Sequence, residues 1–222
     1  MSQPVKTFLR QEWPLLLIVL TPLAAAIFIY PAMPDVVPTH WNAQGQVDGM
    51  SGRAFGTFSL PVMNVGLYVL LLVSPKLDPK KENYAGFAGT YRLIRWLIHA
   101  FMAGTFGVTI AAALSYEVDV GRWIPATVAV MFIVLGATMS RVKFNYFVGI
   151  RVPWTLADEE VWNQTHRVAA KWMMAGGVLA LAGTFLLSGD LRFMVFMICI
   201  LAPILGATVY SYVMFQRKRR KP

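Results

Sequence analysis

The sequence predicts an all-α fold, a polytopic membrane helical bundle with six transmembrane helices and both termini cytoplasmic. Of 222 residues, 57% are hydrophobic and only 14% charged, a balance that no soluble domain covers with polar surface. Six windows approach the roughly 20 apolar residues needed to cross a hydrocarbon core, and a bilayer admits neither open sheets nor lipid-exposed loops in their place. Seventeen of the twenty Lys and Arg fall in alternate connections, as expected when cations resist translocation and collect on the cytoplasmic side.

The predicted spans are Trp13–Tyr30, Phe55–Ser74, Leu93–Tyr116, Trp123–Ser140, Trp172–Ser188 and Phe193–Phe215. The first run is long and flanked by Trp, Tyr and Pro, with no A-x-A-like site directly after it, so it reads as a retained helix and not a cleaved leader. Lys6, Arg10, Lys76, Lys80, Lys81, Arg92, Arg95, Arg141, Lys143, Arg151, Arg167, Lys171 and Arg217–Lys221 mark the inner side, against Arg53, Arg122 and Arg192 outside. The whole chain, 1–222, is expected to be a single membrane domain. Residues 1–75 form an N-terminal helical hairpin with an extracytoplasmic loop at 33–54, and 76–222 a four-helix part with a cytoplasmic segment at 141–171. The net charge of +9 is accounted for by short juxtamembrane pieces facing anionic headgroups, so lipids and not nucleic acid are the expected partner. Cys199 stands alone, leaving neither an internal disulfide nor a Cys-based metal site, and no cofactor is implied. Gly104, Gly107, Gly176, Gly177 and Gly183 suit close helix packing.

The outer loop is crowded with turn formers: Pro34, Pro38, and Asn42, Gly45, Asp48 and Gly49. Prolines forbid helix continuation, and Asn, Asp and Gly tolerate tight turns, so a compact, ordered loop is expected. Asp35, His40, Asn42 and Asp48 offer oxygen and imidazole groups that either bond one another and the helix ends or converge on an outside ligand. Their spacing matches no specific metal motif.

The inner segment 145–167 is the densest run of polar, charged and aromatic side chains in the chain. Gly149 supplies a bend, Pro153 stops the preceding structure, Thr155 is placed to cap, and Asp158 stands three residues on with Glu159 and Glu160 near the positive helix end. A helix is therefore expected from about Leu156, lying first along the interface before it turns into the fifth span. Helical spacing puts Glu159, Trp162, Asn163 and His166 on one stripe and Glu160, Gln164, Arg167 and Lys171 on the next. Arg92 and Arg95 are placed to reach Glu159 or Glu160. His99, inside the third span, is the third imidazole, and an ionisable residue at such depth is expected to face the bundle interior. A Glu and a His seven apart lack the H-E-x-x-H spacing of a zinc helix.

Asn145-Tyr146-Phe147-Val148-Gly149-Ile150-Arg151-Val152-Pro153-Trp154-Thr155-Leu156, with Glu160-Val161-Trp162 and Thr165-His166-Arg167, resembles the signature of the SdpI family of bacterial membrane proteins. Pro34-Asp35-Val36-Val37-Pro38-Thr39-His40-Trp41-Asn42, with Gly45, Asp48 and Gly49 after it, is similar to the uncharacterised N-terminal domain that often heads its members. The Gly52-Arg53 ending departs from the Ser/Gly-Lys of that outer motif. The resemblance implies a multi-pass protein of the bacterial cytoplasmic (inner) membrane that gives immunity against a secreted membrane-active peptide toxin and captures a cytosolic regulator. A ligand outside would contact Asp35, His40, Trp41, Asn42 and Asp48, and the regulator would meet Arg151, Trp154, Glu160, His166 and Arg167 inside. The residues leave open a second class: an intramembrane metal-dependent hydrolase, or a transporter of a small substrate or lipid, with a polar cavity lined by His99, Glu159 and His166.

Overall fold

The computed structural model describes residues 3–220, with side chains from residue 12 onward. Lys6, Arg10 and Lys221 of the inner charge set lie outside the described side chains. Among the described residues six helices are long and apolar enough to cross a membrane, as the sequence predicts.

Helix α1 (Gln3–Ile29) contains Pro14 and Pro22 and gives way to a 3-10 turn at Tyr30–Ala32, where a further proline occupies the first turn. Strands β1 (Val36–Trp41) and β2 (Val47–Gly52) pair antiparallel, with Val36 opposite Gly52 and Trp41 opposite Val47. The 33–54 loop is thus a β-hairpin, and α2 (Arg53–Leu77) leaves directly from its second strand. A 3-10 stretch, Lys81–Phe87, leads into α3 (Ala88–Ala113), and α4 spans Val120–Met139. After a non-helical passage come the single turn α5 (Pro153–Ala157), α6 (Glu159–Leu186) and α7 (Gly189–Arg219).

The long helix does not begin at Leu156. Pro153 presets only one turn, because Thr155 spends its hydroxyl on that turn: Oγ1 accepts from the Val152 N–H at 3.0 Å and reaches the Ile150 carbonyl at 2.8 Å. The chain then becomes extended at Asp158 (φ −149°, ψ 117°), whose carboxylate accepts from the N–H groups of Glu160 and Val161 at 2.9 and 3.1 Å. Asp158, not Thr155, is the N-cap of the long helix, and α6 runs unbroken from Glu159 into the fifth span.

The chain divides into two compact units, residues 1–72 with 95–121, and residues 73–94 with 122–222. In the first, Leu15, Val19 and Tyr68 form a buried core with Leu16, Val65, Leu72 and Trp96 packed around it. Gly45 at the hairpin tip (φ +81°) lies so close to Gly121 that an added Cβ would meet its backbone nitrogen at 2.6 Å, which brings two of the predicted outer connections to one end. In the second unit glycines let helices touch. A Cβ on Gly177 would fall 2.9 Å from the Ile133 nitrogen of α4, and one on Gly176 would strike the Cys199 carbonyl of α7. Gly104 and Gly107, expected to serve the same purpose, have open space where a Cβ would be.

Candidate functional site

Between α4 and α5 the chain has no helix to satisfy its backbone, and polar side chains of 141–167 do that work. Asn145, fully buried, uses its whole amide on one turn: Nδ2 donates to the Lys143 and Val148 carbonyls (2.8 and 2.9 Å), and Oδ1 accepts from the Phe147 and Val148 N–H groups (2.9 and 2.7 Å). Buried Asp78 stitches this turn to the α2–α3 connection by accepting from the Tyr146 N–H at 2.9 Å and the Tyr84 hydroxyl at 3.0 Å, and Asn83 donates to the Phe144 carbonyl at 2.8 Å.

His166 and Trp162 close the knot. The Trp162 carbonyl is an acceptor only, so His166 Nδ1, 2.8 Å away, carries the hydrogen; Nε2 is then the acceptor for the Ile150 N–H at 3.0 Å. The ring is a neutral imidazole with both nitrogens committed to backbone. It stacks on Trp162 (centroids 4.1 Å, 24° apart), whose indole N–H donates to the Val142 carbonyl at 3.0 Å. Gly149 passes over both rings with φ +122°; a Cβ there would overlap His166 Nε2 and sit 3.0 Å from Trp162 Cη2. Gly149→Ala therefore combines a backbone strain of about 1–3 kcal/mol with a clash that opens the Ile150–His166 bond. It should lower the unfolding midpoint in detergent, and an unchanged midpoint would contradict this packing.

The predicted stripe of four residues splits: Trp162 and His166 are buried with Thr165, whereas Glu159 and Asn163 are exposed. On the second stripe Gln164 donates to Glu160 at 3.1 Å. Arg151 is exposed and donates to the Tyr146 carbonyl at 2.7 Å, and Arg167 is exposed as well. Pro153 opens α5, and Trp154 ties that turn to α7, donating to the Ser211 hydroxyl and lying edge-on to Tyr212. Lys218 binds Asp158 and Glu160, both at 2.8 Å, so Glu160 meets the C-terminal basic stretch instead of Arg92 or Arg95. Burial alone pushes the Asp158 carboxyl up, but the Lys218 ammonium and the N–H groups of Val161 and Glu160 outweigh it and hold it below its ordinary value. A depressed carboxylate stabilises the fold above its unfolded pKa and loses that contribution as pH falls through the lowered folded value. A spin label at Gln216 should thus stay ordered at neutral pH and gain mobility only in strong acid; Asp158→Asn should give that mobility at neutral pH.

On the hairpin the predicted ligand residues form separate pairs. His40 Nδ1 and Asp48 Oδ1 lie 2.5 Å apart, and Arg53 donates to Asp35 at 2.6 Å. Asn42 Oδ1 accepts from the Gln44 and Gln46 N–H groups at 3.0 and 2.9 Å and so builds the turn itself. Asp35 at the base and His40 nearer the tip are five residues apart, roughly 16 Å of extended chain. Their side chains remain 95% and 72% exposed, and Trp41 is half-buried.

Residues 141–213 match the model of the SdpI/YfhL protein family, and residues 17–65 match a domain of unknown function, DUF1648. Over 203 residues the chain is 24% identical to "Immunity protein SdpI" of Bacillus subtilis (strain 168), covering 91% of this chain and 94% of that protein. The SdpI likeness is clearest over 141–213, where the family model matches. No solved structure matches the chain. The SdpI likeness and the six candidate spans together describe a multi-pass bacterial membrane protein.

In this SdpI-like chain the three imidazoles have three different settings. His40 is on the hairpin, His166 is locked in the signature knot, and His99 is fully buried in the first unit with Nδ1 2.7 Å from Asn64 Oδ1. Among the described residues no three His, Cys, Asp or Glu side chains gather as a metal site would require. The first unit also holds a group that sequence reasoning missed. Arg95 binds Glu12 through two N–H groups at 2.9 and 2.6 Å, Tyr68 donates to Glu12 at 3.1 Å, and the guanidinium lies 5.4 Å from the Tyr68 ring centroid. The available signal was a lone carboxylate at the start of the first span and a lone Arg four residues before His99 in the third.

Proposed function

We propose that this chain is an SdpI-like membrane immunity protein that protects its host against a membrane-active peptide toxin by binding it, with relay to a cytosolic regulator as a second output. One observation carries the reading: the likeness to a protein named for immunity across 91% of this chain, beside the two family matches. The hairpin supports ligand contact through exposed His40, Asp48 and Asp35. Exposed Arg151, Glu159, Glu160 and Arg167 around the knot support an inner docking surface of alternating charge. Catalysis at His166 has less support, since both ring nitrogens already serve backbone groups and proton transfer needs one of them within reach of a substrate.

Expression in a strain sensitive to such a peptide tests the reading. Survival at a fixed toxin dose should rise clearly above that of the same strain without the protein. His40→Ala with Asp48→Ala should erase the gain while membrane levels hold. No gain with the wild-type chain would overturn the proposal.

A further inference from the structure

The unit formed by residues 1–72 and 95–121 contains a buried hydrogen-bonding pair that the immunity reading does not use. His99 is 0% exposed and Asn64 1%, both within membrane-spanning helices. Their one bond to each other, Nδ1 to Oδ1 at 2.7 Å, leaves His99 Nε2 and Asn64 Nδ2 buried with no hydrogen-bond partner among the described residues. The deficit survives either orientation of the amide. With Oδ1 facing the ring, Nδ1 carries the hydrogen, Nε2 is a bare acceptor and Nδ2 a bare donor. With the amide turned, Nδ2 donates to Nδ1, Nε2 becomes the bare donor and Oδ1 the bare acceptor. One donor and one acceptor are always left over.

Such a pair in hydrocarbon is costly, because no lipid tail repays the lost hydrogen bonds. An acyl chain offers nothing to either atom. An ion would match only one of the two, and the adjacent charges are already balanced, Arg95 being bound to Glu12 beside the Tyr68 ring that stands 5.8 Å from the His99 ring. A hydroxyl group both donates and accepts, and is neutral. We propose that His99 and Asn64 form an intramembrane binding site for a hydroxyl-bearing ligand, water being the smallest, held by His99 Nε2 and the Asn64 amide. The site makes the first unit a hydrated polar point inside the membrane, and it stands whether or not the chain confers immunity.

With three histidines in the chain, ring-nitrogen NMR on the full-length protein in phosphatidylethanolamine–phosphatidylglycerol vesicles reads the site directly. His40 is the exposed reference, and His166, fully engaged by backbone, the dry one. Magnetisation transferred from water protons should reach the His99 ring at a rate comparable with His40 and several-fold faster than His166. Transfer from lipid glycerol hydroxyls instead of water would identify a headgroup as the ligand's source and equally support the site. A His99 ring as slow as His166 from both sources would overturn it. Asn64→Leu should slow the transfer, and Asn64→Ser, which keeps a hydrogen-bonding group, should retain it.

Discussion

Trp162→Ala should destabilise the protein by about 3–5 kcal/mol, the range for deleting a fully buried indole. Trp162 is 0% exposed and touches the knot on three sides: its N–H satisfies the Val142 carbonyl, its face carries the His166 ring, and its edge meets Phe144 at 5.4 Å between centroids. Alanine leaves the Val142 carbonyl unpaired in a buried place and frees the imidazole to turn, which loosens the Ile150 N–H as well. Phenylalanine separates these effects. Trp162→Phe keeps a ring against His166 but orphans the carbonyl, and should cost about 1–3 kcal/mol. Denaturant unfolding in detergent measures both, and the ring-nitrogen signals of His166 report whether its tautomer survives. Equal losses for the two variants would mean that the indole N–H, not the packing of the ring, is what holds the segment.

The six spans were legible because bilayer length and apolar composition constrain them so tightly, and the 33–54 and 141–171 segments stood out by their polarity. What escaped was the pairing of polar atoms. Thr155 and Asp158 both carry capping side chains, and sequence spacing favoured the first; only the geometry reveals that Thr155 is consumed by the Ile150 and Val152 backbone, which passes the cap to Asp158. The signature residues Asn145, Gly149, Trp162 and His166 look like chemistry in a sequence because they are polar or aromatic. Here they satisfy a stretch of backbone that has no helix to do so. Asp78 and Asn83 lie in a short charged connection, and their partners, the Tyr146 N–H and the Phe144 carbonyl, are more than sixty residues away. Long-range hydrogen bonding leaves no periodic trace.

This division between backbone-satisfying and solvent-facing groups bears on how the proposed binding outside and docking inside would be linked. The knot is rigidly cross-bonded, so charges on its rim, Arg151 and Arg167 among them, are presented by a fixed base. Relay would require a second arrangement of the helices that ligand and regulator prefer unequally. Lys218 is the natural point for such a difference to register, since one ammonium holds both Asp158 at the N-cap of α6 and Glu160 in its first turn.

Arg95→Leu and Glu12→Leu should each cost about 3–5 kcal/mol, whereas the double substitution should restore most of the loss, because breaking a buried pair strands a charge and removing both does not. The side chains are only 7% and 14% exposed, so solvent repays little of what either loses. The two singles differ in what remains. Without Arg95, Glu12 keeps the Tyr68 hydroxyl; without Glu12, the guanidinium keeps the Tyr68 ring at 5.4 Å, a cation–π contact that offsets about 1–2 kcal/mol when desolvated. Because the bridge joins α1 to α3 while Tyr68 of α2 touches both ends, the coupling measured by the double-mutant cycle should be large and favourable, and Tyr68→Phe should reduce it. Additive losses in the two singles and the double would show that Glu12 and Arg95 are stabilised independently, and the bridge would then not be what fastens the first helix to the third.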